Sequence, residues 1–527
     1  MPKFNRKKKS KMPNLLRRIA VAATLSCALG ATAIRAQDAK PEGQEPSPNP
    51  EGYAPTTINV RARIVILDVV VTDKDGKLYP REDFTADDFT IYEDSVQQTI
   101  RSFEPPSKHR MPVTDKPIVN SAADLKKIGD APVTILVVDE LNTPFSEASF
   151  SRQMAVKYLQ KQPAVLKTPT VLMVATPEKF VQLHDYTQDR DSLIDTIKNH
   201  MPEYPWKQNG TERMAQVLSA LVQLAQSSTG TPGRKDLIWI GSGSPRANFI
   251  KMPEEEAEVI SAAYKRCVDE LLKARITMFM INTTPAGRSS AQDVIDDSPD
   301  PNPDPLESGR VSFTGFAADS GGYAYRGRND VDAELGEGID KGLEYYTMSY
   351  APTNKTDVAG QYRGIKILMK DKNLIATTRG GYYMDTQANS NPVLDKDMKP
   401  KQSNANLQMD LSNALLSQIA YNGLEIQAAK SAEGEYTIHV GENGITWSAP
   451  GANGEEHEEA TVAAAWFDAK GKIIGHVAHE FTSKRTETNN GATFKLPVTV
   501  PATAVRLRIV VRDALGAKMG TADITQF

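Results

Sequence analysis

The apolar run Val133–Val138 ends on Asp139 and turns at once through Glu-Leu-Asn-Thr143. A carboxylate therefore stands at the C-terminal end of a strand, where α/β proteins place their binding crevices. Its plainest use is local, with Asp139 capping the following turn through Asn142 and Thr143. Gly241-Ser-Gly-Ser-Pro245 follows a second apolar run and looks like a phosphate cradle or a nucleophile elbow. It lacks the Gly-Lys-Ser/Thr ending of the first and the second flanking glycine of the other, so neither chemistry is expected. A hydrolase at this rim would need a general base, and the seven histidines (His109, His184, His200, His439, His457, His476, His479) avoid the predicted strand ends. His476-Val-Ala-His479 has a metal-like look, but on a strand that spacing sends the two rings to opposite faces. Cys267 falls on the helical stripe Ala257, Ile260, Tyr264, Cys267, Leu271 and reads as a packed thiol. The acidic, proline-rich stretch Asp296–Pro305 lacks the glycine turn and terminal glutamate of a calcium loop and reads as a mobile surface loop. The chain is expected not to be an enzyme.

The elements that position these residues follow from hydrophobic rhythm. Buried aliphatic strands (133–139, 170–176, 180–186, 237–241, 276–282, 345–350) alternate with helical stretches (146–160, 189–200, 211–226, 253–274, 330–342). That alternation predicts an α/β, doubly wound, mostly parallel sheet over residues 130–385. Residues 55–110 read as a small β-rich module, with Asp73-Lys-Asp-Gly76 turning between strands. Residues 386–406 are polar and rich in Pro and Lys, which predicts a linker. From 407 to 527, short strands with Gly and Asn turns predict a β-sandwich.

Over 527 residues, 62 basic and 66 acidic side chains give a net charge of -4, which leaves no basic excess to track phosphates and argues against nucleic acid as a partner. The N-terminus departs from this balance. Lys3 to Arg18 is strongly basic, and the apolar run Ile19–Ala33 closes in small residues before Gln37. Residues 1–36 thus read as a signal peptide, too short for a comfortable transmembrane helix, and the mature chain as exported to the periplasm, the outer envelope or the medium, with no membrane span. Leu25-Ser-Cys27 offers a lipoprotein-like alternative, weakened by Thr24 where an aliphatic residue is preferred. Residues 37–54 form a disordered spacer.

Several pieces in order carry a resemblance. They are Leu67-Asp-Val-Val-Val-Thr-Asp73, Asp88-Phe-Thr-Ile-Tyr-Glu-Asp94, Val138-Asp-Glu-Leu-Asn-Thr-Pro-Phe145, Gly233-Arg-Lys-Asp-Leu-Ile-Trp-Ile240, Ala318-Asp-Ser-Gly-Gly-Tyr-Ala324, Tyr345-Tyr-Thr-Met-Ser-Tyr-Ala-Pro352 and Arg379-Gly-Gly-Tyr-Tyr383. Over residues 58 to 385 the chain resembles the VWFA-related family typical of Acidobacteria, whose central domain is of the von Willebrand factor type A (vWA) kind, with a Rossmann-like sheet. The resemblance implies a metal-ion-dependent adhesion site, in which hydroxyls and carboxylates from three loops hold Mg²⁺ or Mn²⁺ and an open position takes a partner's carboxylate. Asp139 matches the first position, Leu141 replaces the first serine, and Thr143 keeps the second hydroxyl. Thr211 stands for the second loop, with helix capping as its alternative use. Ser242 stands in a third loop where metal-binding relatives carry an aspartate. Asp139, Thr143, Thr211 and Ser242 thus make a degenerate site with weak or no affinity for Mg²⁺ or Mn²⁺. The function so implied is adhesion-type binding of a protein or a cell-envelope component at the sheet's C-terminal rim. The alternatives are an exported hydrolase at the same rim and a structural envelope component that self-assembles through strand edges.

Overall fold

The computed structural model describes residues 64–176, 180–201, 210–243, 252–283, 304–306, 311, 313–325, 331–353, 358, 360–384, 401–442, 444–448, 455–485 and 491–526. The expected signal peptide and spacer, and all of Asp296–Pro305 except its last two residues, lie outside them. The described residues divide into two compact units, Ile64–Gly423 and Leu424–Phe527.

The first unit opens with β1 (Val65–Asp73), β2 (Phe89–Glu93), β3 (Val96–Gln98) and β4 (Ile100–Glu104). Next come β5 (Val133–Asp139), β6 (Val165–Ala175), β7 (Phe180–Asp189), β8 (Lys235–Ile240), β9 (Ile276–Ile281) and the two-residue β10 (Ala324–Tyr325). These six form one sheet in the order β10-β9-β8-β5-β6-β7, parallel throughout except for β7. Sequential order thus reverses between β5 and β8, the switch point at which open α/β sheets form their crevice.

Every residue of β5, β8 and β9 is buried, as strands covered on both faces require. The alternation of side chains splits β5 between two separate cores. Val133, Ile135 and Val137 join Val217, Leu221, Ile260, Tyr264 and Cys267 from α3 (Gly210–Ser227) and α4 (Glu254–Lys273). Leu136 and Val138 join Ala155, Leu159, Leu193 and Ile197 from α1 (Phe145–Lys161) and α2 (Arg190–Asn199). Helices on both faces make the sheet doubly wound. The Cys267 thiol is fully buried, and burial raises its pKa well above the usual value, so it packs and does not react. The short α5 (Phe313–Asp319) and α6 (Val331–Leu343) follow.

The stretch 345–350, expected as a strand of the parallel sheet, belongs elsewhere. It forms β11 (Tyr346–Tyr350), antiparallel between β1 and β4, and β13 (Leu374–Thr377) extends this sheet on the other side of β1. β12 (Tyr362–Met369) pairs with β2 and with β14 (Gly381–Tyr383) in a second antiparallel sheet that β3 completes. The strands near the N-terminus therefore pair largely with strands some 250 residues downstream. The physical reason is apolar: Tyr346, Met348 and Tyr350 bury against Leu67, Val69, Phe89 and Ile91 in a third core.

Strands alone were expected beyond residue 407, but α7 (Lys401–Leu416) occupies that position within the first unit. Its Leu411, Ala414 and Leu415 are buried, and Asp410 pairs with Arg266 and accepts from Gln226 Nε2 at 3.3 Å. The spacing 411, 414, 415 is a helical stripe that the strand reading passed over.

In the second unit, β15 (Ile426–Ala432), β16 (Glu435–Val440) and β19 (Ala492–Pro497) form one antiparallel sheet. β17 (His457–Phe467), β18 (Ile473–Lys484), β20 (Arg506–Asp513) and β21 (Met519–Ile524) form another, in the order β18-β17-β20-β21. Tyr436, Ile438 and Phe494 of one sheet and Val462, Ala464, Ile509 and Val511 of the other share a single core. The alternation in β16 and β19 matches sheets buried on one face.

Candidate functional site

Asp139 ends β5 at the switch point and is fully buried. One carboxylate oxygen, Oδ1, accepts from the backbone N–H of Leu141 at 3.0 Å and of Asn142 at 2.9 Å, closing the turn that the sequence suggested. The other, Oδ2, accepts from the backbone N–H of Gly243 at 3.0 Å, a bond across the switch point to the loop after β8. That loop is tied a second time, because Ser242 N donates to Thr143 Oγ1 at 2.8 Å. Ser242 Oγ donates to Glu147 Oε2 on α1 at 3.3 Å.

The close approach depends on glycine. Gly241 has φ +148°, and a Cβ there would lie 2.4 Å from Thr143 Oγ1 and 2.5 Å from Asp139 Cβ. Gly243 has φ +68°, and a Cβ there would meet Phe313 and Met280 at 2.6 and 2.7 Å. The Gly-Ser-Gly of this loop thus lets one backbone lie on the end of another. Beyond it, Thr283 after β9 accepts from Ser151 Oγ of α1 at 3.0 Å.

Burial pushes the Asp139 carboxyl up to about 6, against the pull of the Asn142 N–H, the Trp239 and Thr143 side chains and the Gly243 N–H, which favour the ionised form. Its oxygens are engaged by three backbone donors, Thr143 and Ser242 are engaged with each other, and Gly241 fills the space between. Oxygen is the right donor type for Mg²⁺ or Mn²⁺, but most acceptor positions on this carboxylate are already taken. An ion ligated by Asp139 would have to share its oxygens with the Leu141, Asn142 and Gly243 N–H groups. Thr211 is the second residue of α3, its side chain outside the described residues, as are residues 202–209 ahead of it.

Two features were missed by sequence reasoning. His200, at the end of α2, reaches the rim, and its Nε2 lies 2.9 Å from Oε1 of the buried Glu140. The histidines therefore do not all avoid the strand ends. Helix length is the signal that could have located this one, since α2 runs back from the edge strand β7 and delivers its C-terminal residue to Glu140. No hydroxyl or thiol among the described residues is hydrogen-bonded to the His200 ring. The second feature is Asn142, whose Oδ1 and Nδ2 are both buried without a hydrogen-bond partner among the described residues, next to the Asp139 turn. A carboxamide left in that state costs about 1–3 kcal/mol per unsatisfied group, so it calls for an explanation.

No family model matches the chain, and no curated protein does. Among solved structures, it is similar to proximal thread matrix protein 1 from the mussel byssus, including a form with a zinc-occupied MIDAS motif. Both forms show 11% identity over 41% of this chain and 48% of that one, at a TM-score of 0.25. The chain thus spans about half the length of the mussel protein. It is also similar to an aerotolerance-related membrane protein from Bacteroides fragilis NCTC 9343, at 11% identity over 40% of this chain and 98% of that one, with a TM-score of 0.23.

Proposed function

We propose that this is an exported, non-enzymatic binding protein whose α/β unit engages a partner protein or cell-envelope component at the C-terminal rim of the six-stranded sheet. The observation that carries this reading is the switch point itself, where Asp139 and Thr143 tie the loops after β5 and β8 into one fixed rim. Asp139, Thr143 and Ser242 lock the two central loops into one preformed surface, which lowers the ordering cost of binding. Recognition in this reading needs no ion. A divalent cation held by Asp139, Thr143, Thr211 and Ser242 is its weaker form, because the Asp139 oxygens already accept from three backbone N–H groups.

A hydrolase reading draws on the Glu140–His200 pair, which is oriented as a base and its carboxylate would be, but a nucleophile is missing from its described surroundings. Assembly through strand edges has no comparable observation behind it.

The test places a photo-crosslinking residue at the exposed Ser149 of α1, beside the rim, and at the exposed Lys126 just ahead of β5, at the other end of the sheet. Irradiation in the native envelope and secreted fractions should give one discrete adduct from position 149 and none from 126. Adducts from 126 alone, or identical adducts from both, would refute the rim.

A further inference from the structure

At the opposite end of β5 from Asp139, three ligand-type side chains from separate segments converge. Glu104 ends β4, His109 follows the 3₁₀ turn Pro106–Lys108, and Asp130 precedes β5. One ligand atom from each lies within 4.8 Å of the others. About 23 Å of strand, seven residues at about 3.3 Å each, separates this cluster from the rim.

The imidazole is what distinguishes the cluster from an ordinary acidic patch. His109 is fully buried, and neither Nδ1 nor Nε2 has a hydrogen-bond partner among the described residues. Its Nε2 lies 3.6 Å from Glu104 Oε2, beyond hydrogen-bonding distance. The ring is held flat against Tyr345, centroids 4.6 Å apart and planes 13° from parallel, and the Tyr345 hydroxyl donates to the Asp130 carbonyl at 3.4 Å. A buried ring with two empty nitrogens is expensive unless something takes a lone pair.

We propose that Glu104, His109 and Asp130 form a zinc-type site, in which one imidazole nitrogen and two carboxylate oxygens bind a first-row divalent cation and water fills the fourth position. A nitrogen donor beside two oxygens favours Zn²⁺ over Mg²⁺ or Ca²⁺, which prefer oxygen alone. With bonds of 2.0–2.2 Å, tetrahedral donors stand about 3.4 Å apart, so the partly exposed Glu104 and the exposed Asp130 need only small rotations to close on the fixed ring. Burial first, then the Arg275 guanidinium, holds the His109 pKa below its usual value against the opposing pull of Asp68, Glu104 and Asp130. Arg275 is itself engaged by Asp68 at 2.5 Å, which tempers its repulsion of a cation.

The test uses the full chain. Zinc chloride titrated by calorimetry should show one saturable site, and cobalt(II) should give the d–d absorption of a low-coordinate nitrogen–oxygen site. Glu104→Gln and Asp130→Asn alter side chains at the surface and should keep the thermal transition while each weakens zinc at least tenfold. His109→Phe, which keeps the stacking on Tyr345, should abolish binding. Asp139→Ala should leave it intact, which separates this site from the rim. Absence of saturable binding, or binding unchanged in Glu104→Gln and Asp130→Asn, would overturn the proposal whatever becomes of the rim.

Discussion

Replacing Asp139 by alanine tests whether this carboxylate holds the rim together. The substitution strands three backbone donors, on Leu141, Asn142 and Gly243. At ~1–3 kcal/mol for each buried unsatisfied group, the gross loss is ~3–9 kcal/mol. It is offset by removal of a buried charge, whose rise from 3.8 to about 6 corresponds to ~3 kcal/mol of disfavour for the ionised form at pH 7. The net expectation is a loss of ~0–6 kcal/mol at pH 7. The pH dependence is the sharper part. A carboxyl raised in the folded state binds its proton there at pH values where the unfolded chain has released it, so folding gains stability as pH falls from 7 toward 4. Between pH 7 and 5 that gain is ~1.3 kcal/mol for the native chain and absent in Asp139→Ala. Urea unfolding at the two pH values, with hydrogen-exchange protection of the β5 amides as a local probe, should show the gap between native and variant widen on acidification. A gap that stays constant would mean that Asp139 is ionised throughout and that its three donors outweigh burial.

Three further outcomes are expected. Gly241→Ala places a methyl against Thr143 Oγ1 and Asp139 Cβ at a positive φ and should cost about 2–4 kcal/mol in urea unfolding. Lys235 is buried with its ammonium donating to the carbonyls of Thr231, Gly233 and Ala274, and burial lowers its pKa to about 7. The unfolded chain then holds that proton over pH 7–10.5 and the folded one does not, so this group makes stability rise with pH, and Lys235→Met should flatten the rise between pH 7 and 9. In the second unit, Glu458 is buried with neither oxygen hydrogen-bonded among the described residues, and burial, then Asp513, raises its pKa to about 7. Its penalty applies above that pH, so Glu458→Gln should raise the melting temperature of this unit at pH 8 and leave it nearly unchanged at pH 5.

What was legible in the sequence was whatever local rhythm encodes. The continuous aliphatic run of β5, the stripe that buries Cys267 and the turn after Asp139 all follow from neighbours within a few residues. Most of what the sequence hid is long-range. The Gly243 N–H that completes Asp139 lies 104 positions away, and the partner of His200 lies 60 away. β11 carries aromatic residues that suit either sheet, and only the pairing of Leu67 with Met348 and Ser102 with Ser349 decides which one it joins. α7 was legible in its Leu411, Ala414, Leu415 spacing but was masked by its polar neighbours. Glu104, His109 and Asp130 share no motif, and only folding brings them together.

The central claim is that Asp139 is a strut joining two loops of a preformed, ion-independent rim. Calorimetric titration of Mg²⁺ and Mn²⁺ into the full chain, beside Asp139→Ala and Glu104→Gln, tests it most directly. The account predicts no saturable heat that depends on Asp139 at millimolar ion. Saturable binding that disappears in Asp139→Ala and persists in Glu104→Gln would contradict it, because the carboxylate would then be a metal ligand.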